Sequence, residues 1–180
     1  MWSYREPTEY GGYDAAMTLT MLVTLRARGA NLLANVGPKA EGTVPESALA
    51  CWSDMAQWMK HSRESVFGTL PGPWPEQVNL PVTRRDGMAY IHFLPKLPDK
   101  LTDIPAGERD FTQTRQVIPA LPKYTDTVVW KNAPAPAKVT LLRTGEQIPF
   151  TYESGILTVA LPPQLRTANV DVVKIELAKP

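Results

Sequence analysis

The sequence predicts a mainly β protein with an α/β N-terminal piece: an antiparallel β-sandwich with two helices ahead of it. Three observations predict this. Residues 1 to about 69 space their apolar side chains for helices. From about residue 78 the pattern changes to short alternating runs. Most of the 18 prolines lie after Thr69, where they separate β-like runs and argue against long helices.

The first helix has Asp14 as its expected N-cap, with Leu19, Leu22, Val23 and Ala27 on one stripe. Gly29 is a natural stop, since only glycine takes the left-handed C′ geometry freely. Asn31 to Asn35 is short and apolar, as a buried parallel strand would be. Thr43 and Glu46, three apart with Pro45 between them, predict a capping box. Ala48, Leu49, Trp52, Met55, Ala56 and Met59 are the expected buried face of the second helix, which should end near His61 to Ser65. Cys51 reads as a small core residue of that helix.

In the second half, Met88, Tyr90, His92 and Leu94 alternate with Ala89, Ile91 and Phe93, which suits a strand covered on both faces. Val128–Trp130, Val139–Leu142, Ile148–Tyr152, Ile156–Ala160 and Val172–Leu177 are further strands. Thr144-Gly145-Glu146 and Glu153-Ser154-Gly155 read as hairpin turns. Residues from about 95 to 123 form a Pro-rich excursion with one strand near Gln116 to Ala120.

Composition narrows the function. A net charge of +1 offers no electrostatic case for nucleic acid or an anionic membrane surface. No apolar run reaches the roughly 18 residues of a membrane span, and no signal peptide is visible, so the compartment is left open. One cysteine and two histidines, at unrelated spacings, predict no metal site and no cofactor. His61 falls near a helix end, where positive charge is favoured, and His92 reads as a satisfied sandwich residue. No serine sits in a nucleophile elbow, and Lys39 follows no glycine-rich phosphate loop.

Several segments, in order, carry a resemblance. Trp2-Ser3-Tyr4 is followed by Gly29-Ala30-Asn31-Leu32-Leu33-Ala34-Asn35-Val36-Gly37-Pro38, then by Gln57-Trp58-Met59 and Ser65-Val66-Phe67-Gly68-Thr69. Lys138 to Glu146 and Val172 to Leu177 complete the set. Together they resemble the C-terminal portion of the α-L-fucosidases of glycoside hydrolase family 29. The resemblance implies that residues 1–69 are the terminal fragment of a (β/α)8 barrel, its final helix-strand-helix, and that 70–180 are the C-terminal sandwich. It also implies retaining hydrolysis of terminal α-L-fucosyl residues, with the family's nucleophile and acid/base lying upstream of any segment matched here. Trp2 is then the residue placed against the apolar side of fucose.

Retaining glycosidases use two carboxyl groups roughly 5 Å apart. The carboxylates that loops after the strand ends could bring together here are Glu6 or Glu9 with Glu41, with Asp14 already spoken for as a cap. The plainer reading makes Glu41 a turn residue and leaves the other two solvated. Trp52 and Trp58 read as helix packing, while Trp74 and Trp130 are the aromatics available to stack on a sugar, with packing the alternative for each.

Three functions therefore stand open. One is the C-terminal part of an α-L-fucosidase, inactive alone. Another is a small active fucosidase with a reassembled carboxylate site. The third is a non-catalytic carbohydrate-binding or assembly module. The expected partner is a fucosylated glycan, and a second copy, the sandwich or a missing barrel segment is expected to cover the edges of Asn31–Asn35.

Overall fold

A computed structural model describes residues 14–97, 107–111, 114–118 and 122–178. Helix α1 spans Ala15–Ala27 and α2 spans Glu46–Ser62, running on into a 3-10 turn, Arg63–Ser65. The strands are β1 Leu70–Pro71, β2 Val82–Arg85, β3 Met88–Phe93, β4 Gly107–Phe111, β5 Thr114–Ile118, β6 Thr127–Lys131, β7 Pro136–Leu141, β8 Phe150–Glu153, β9 Ile156–Ala160 and β10 Asp171–Leu177. They form a five-stranded sheet in the order β1-β2-β3-β10-β7, a three-stranded sheet β6-β9-β8, and the hairpin β4-β5. Every pairing is antiparallel.

The five-stranded sheet is covered on both faces, and β3 shows why. Its Ala89, Ile91 and Phe93 join Val128, Trp130, Leu157 and Val159 of the smaller sheet in one core. Tyr90 and Leu94 point the other way and pack with Leu19 and Val23 of α1, Trp58 of α2, Val172 of β10 and Val170 just before it. A period of two therefore sends alternate residues of one strand into two different cores, as the alternating run predicts. The molecule has three layers: helices, large sheet, small sheet. Trp58 locks the helical layer down, its indole N–H donating to the Val170 carbonyl at 2.7 Å.

Local signals place α1 well. Asp14 accepts from the Met17 amide at 2.9 Å. At the other end Gly29 has φ +79°, the Ala30 amide donates to the Leu25 carbonyl, and the Gly29 amide to Arg26, a Schellman stop. The β8–β9 hairpin turns through Ser154 and Gly155, both at positive φ. Asp86-Gly87 does the same between β2 and β3. Trp74 is buried beneath the Arg28 guanidinium, 4.5 Å from its ring centroid, and Trp130 is buried in the sandwich core; both are packing residues.

Three expectations are corrected. Asn31–Asn35 is not a buried strand: it runs without ladder partners, and Leu33 is 78% exposed. A parallel strand needs a neighbouring strand to satisfy its backbone, and none lies alongside among the described residues. The capping box does not form. Pro45 stays extended (φ −58°, ψ 140°), so the helix starts at Glu46, and the Thr43 hydroxyl donates to Glu41 at 3.0 Å instead. The buried face of α2 is rotated. Ala48, Cys51, Trp58 and Ser62 are buried, while Leu49 and Trp52 are 50% and 45% exposed and Ala56 is exposed. This helix is apolar on two sides and only one is covered.

The excursion at 95–123 contains a hairpin, β4-β5, rather than one strand; residues 98–106, 112–113 and 119–121 lie outside the described residues. The open side of β6 is closed by a side chain. Asn79 accepts from the Val129 amide at 2.8 Å and donates to the Thr127 carbonyl at 3.1 Å, copying a strand's pattern.

Candidate functional site

Of the residues proposed for sugar chemistry, Trp2, Glu6 and Glu9 lie outside the described residues. Glu41 sits in the turn that joins Lys39 to Thr43, open to solvent. A backbone hydrogen bond, the Thr43 hydroxyl and the charge of Lys39, in that order, hold its carboxyl below the usual carboxylate range. Such a group stays ionised, as a nucleophile or a charge stabiliser must. A general acid needs the opposite shift.

The polar centre of the described residues lies elsewhere, in the loop before β10. Arg166, with 6% of its side chain exposed, donates through Nη1 to Asp126 at 2.7 Å and through Nε to Asp171 at 3.2 Å. Its other terminal nitrogen donates to the Leu94 carbonyl, and its plane lies over Phe93 and Tyr124. Asp171, 2% exposed, also accepts from the Thr167 amide at 2.8 Å and the Thr167 hydroxyl at 3.1 Å. Arg166 and Asp171 are paired inward, while Asp126 keeps a third of its side chain exposed. The network pins the loop 166–171 to the start of β6 and the end of β3. The sequence offered no signal for it, because its members come from four separate turns and strand ends.

Beside this network, α2 and the loop 167–171 enclose a cleft of about 140 Å³, with Asp54, Gln57, Trp58 and His61 on the helix side and Arg143 at one end. Burial, then the neighbouring Arg143 charge, pushes the His61 imidazole below its ordinary value, while Asp171 opposes that shift. Its Nδ1 lies 2.7 Å from the Ser62 hydroxyl.

His92 is fully buried in β3 and only half satisfied. The Thr83 hydroxyl gives its one proton to the Ser65 carbonyl at 2.6 Å, so at 3.1 Å it accepts from His92 Nε2–H. Nδ1 is left without a partner. Burial pushes this imidazole down to about 3, so it is neutral. The unfolded chain binds a proton near pH 6.5 and the folded one does not. Stability should therefore be full above pH 6.5 and fall by up to about 1.4 kcal/mol per pH unit as pH drops from there toward 3. Urea titrations at pH 7, 5 and 4 check this, and His92→Leu should flatten the profile over that range.

Among the described residues no group of three or more His, Cys, Asp or Glu could hold a metal ion, and no helix is long and apolar enough to cross a membrane.

Comparison with known proteins gives this geometry a context. Residues 1–64 match the sequence profile of the α-L-fucosidase family. A curated α-L-fucosidase of Dictyostelium discoideum is 34% identical over 68 residues, 38% of this chain and 14% of that protein. Solved structures agree with the fold over nearly the whole chain. Thermotoga maritima α-fucosidase, in complex with a mechanism-based inhibitor, aligns over 97% of this chain and 37% of its own, with TM-score 0.64 and 20% identity. α-L-fucosidase isoenzyme 1 from Paenibacillus thiaminolyticus aligns over 99% and 38%, with TM-score 0.69 and 18% identity. The family 29 α-L-fucosidase from Bacteroides thetaiotaomicron aligns over 98% and 35%, with TM-score 0.69 and 18% identity. The chain thus spans little more than a third of the length of these structures, and about a seventh of the curated relative.

Proposed function

We propose that this chain, a relative of the α-L-fucosidases of glycoside hydrolase family 29, is the C-terminal part of such an enzyme, incomplete as a catalyst by itself. One observation carries the reading. The segment that matches the family profile leaves apolar surface open, at Leu33 in the exposed 31–35 run and at Leu49 and Trp52 on α2. A (β/α)8 barrel takes roughly 250 residues, and barrel strands and helices would cover those surfaces. On this reading the barrel supplies nucleophile and acid/base for retaining cleavage of an α-L-fucosyl residue. The sandwich braces the last helices, and Trp2 lies against the sugar.

The test is hydrolysis of an aryl α-L-fucoside. The 180-residue chain alone should give no turnover above buffer. Turnover that co-purifies with the chain through successive columns would overturn the reading.

A second reading is a small fucosidase whose site is reassembled from Glu6 or Glu9 with the exposed Glu41. It requires turnover by the chain alone, lowered on the order of 10²-fold or more in Glu41→Gln and in Glu6→Gln or Glu9→Gln. Three fully active variants would exclude this set of carboxylates.

A further inference from the structure

The two sheets of the sandwich end in the edge strands β1, β7, β6 and β8, and among the described residues only β8 is left open. At β6 the Lys131 amide donates to the Gln77 carbonyl at 2.8 Å, and Asn79 fills the positions at Val129 and Thr127. At β7 the chain folds back on itself. The Leu141 amide donates to the Glu146 carbonyl at 2.8 Å and the Ile148 amide to the Val139 carbonyl at 3.0 Å. At β1, Pro71 has no N–H, while Arg26 Nη2 and Arg84 Nε donate to the Thr69 and Pro71 carbonyls at 2.7 and 3.2 Å. Nothing among the described residues pairs with the outer side of β8.

The ladder fixes which groups of β8 stand open. Its turn to β9 has two residues, Ser154 and Gly155, so Glu153 and Ile156 exchange both backbone hydrogen bonds. Bonded pairs alternate along an antiparallel ladder, so Thr151 is tied to Thr158, and the N–H and C=O of Phe150 and Tyr152 face outward. The β6 side has the same phase: Val129 and Lys131 face outward there, and Asn79 and Gln77 take their amides. The Phe150 and Tyr152 side chains stand on the core side of the sheet, opposite Val159 and Leu157. They are still 38% and 37% exposed, because no strand lies beyond them. No proline or lysine guards this edge from within the strand.

The open edge is complementary to itself. A two-fold axis through Thr151, normal to the sheet, sets β8 antiparallel to β8 of a second copy. Phe150 then lies opposite Tyr152 of the other copy, and the symmetric pair repeats the contact. Each pair exchanges an N–H and a C=O, so every open group of both strands is used. The same pairs bring aromatic rings together on the core face. Thr151 meets its own equivalent on the outer face. Charge is compatible as well: Glu153, the one charged residue of the strand, falls opposite Pro149, so no like charges meet. A shift of register either way would leave Phe150 or Tyr152 outside the ladder, because Ser154 is in the turn and the Ile148 amide is taken by Val139.

We propose that β8 is a self-association edge, through which two copies of this chain join their small sheets into one continuous sheet. Its 4 residues give a foreign peptide little to hold, whereas the two-fold axis uses every contact twice. The pairing does not depend on any catalytic role of the chain.

The experiment is sedimentation velocity on the 180-residue chain from about 10 μM to about 1 mM, with hydrogen exchange at both ends of the range. A monomer–dimer equilibrium with Kd on the order of 100 μM is expected, weak because the contact is small. The Phe150 and Tyr152 amides should gain protection as concentration rises. Thr151→Lys and Thr151→Glu change an exposed side chain and should leave the melting temperature unaltered. Each should weaken the dimer about tenfold or more, since like charges then meet on the axis. An equal mixture of the two should restore parental affinity, as only a residue that faces its own equivalent can. The proposal falls if the chain stays monomeric throughout, if either variant dimerises like the parent, which would move the contact to a surface such as the Leu49–Trp52 face of α2, or if the mixture shows no rescue. Protection of both amides at every concentration would also overturn it, because the chain would then cover its own edge.

Discussion

Arg166→Ala is expected to destabilise the fold by about 3–5 kcal/mol, because it strips the partner from a carboxylate that cannot reach water. Asp171 is 2% exposed, its other hydrogen bonds come from neutral Thr167 groups, and the Arg143 guanidinium stands no nearer than 3.9 Å. The same change releases Asp126, the Leu94 carbonyl and two aromatic faces. Arg166→Lys should recover little, since an ammonium cannot present parallel donors to two carboxylates while lying flat between Phe93 and Tyr124. Asp171→Asn in the Arg166→Ala background should regain part of the loss, because it removes the stranded charge. Chemical denaturation of the four proteins checks this. A loss below about 1 kcal/mol for Arg166→Ala would put the pair in the class of solvent-screened surface bridges and contradict its burial.

Gly72→Ala is the second large effect. A Cβ there would press into the Val82 carbonyl, with the carbonyl carbon at 2.8 Å and the Val82 Cβ at 2.9 Å, contacts that real side chains do not make. The Gly72 amide also donates to that carbonyl at 2.9 Å, so the backbones cannot part without breaking the bond. The cost should be at least about 2 kcal/mol, with β1 leaving β2. Gly42→Ala is the control. It meets open space and only strains a backbone at φ +84°, so about 1 kcal/mol is expected. Thermal melts of both variants give the comparison. Equal losses would mean that β1 shifts at no cost.

What the sequence told in advance depended on whether a signal was local. Asp14 and Gly29 act through bonds within a few residues, so both ends of α1 could be read directly. The 88–94 run was legible because alternation with no polar face permits only a strand covered on both sides. The turn at Asp86-Gly87 carried a hairpin signal, and with it β2 could have been found. The failures share one physical cause. Asn31–Asn35 and the Leu49–Trp52 face of α2 have the composition of buried elements, but burial needs a partner, and composition does not say whether one is present. Thr43 failed as a cap because Pro45, two residues on, fixes where the helix can begin. The cleft was illegible because Asp54, Arg143 and Asn169 become neighbours only through the docking of α2 onto β10.

The placement of Tyr90, Leu94 and Val172 beneath the helices has a consequence for how such proteins can be cut and recombined. The family profile ends near residue 64, and a sequence-minded splice would be made there. That splice would peel an oily face off the large sheet and leave the sandwich insoluble. The viable joint is on the N-terminal side of α1. The two helices therefore stay with the sandwich as one packed unit in any such splice.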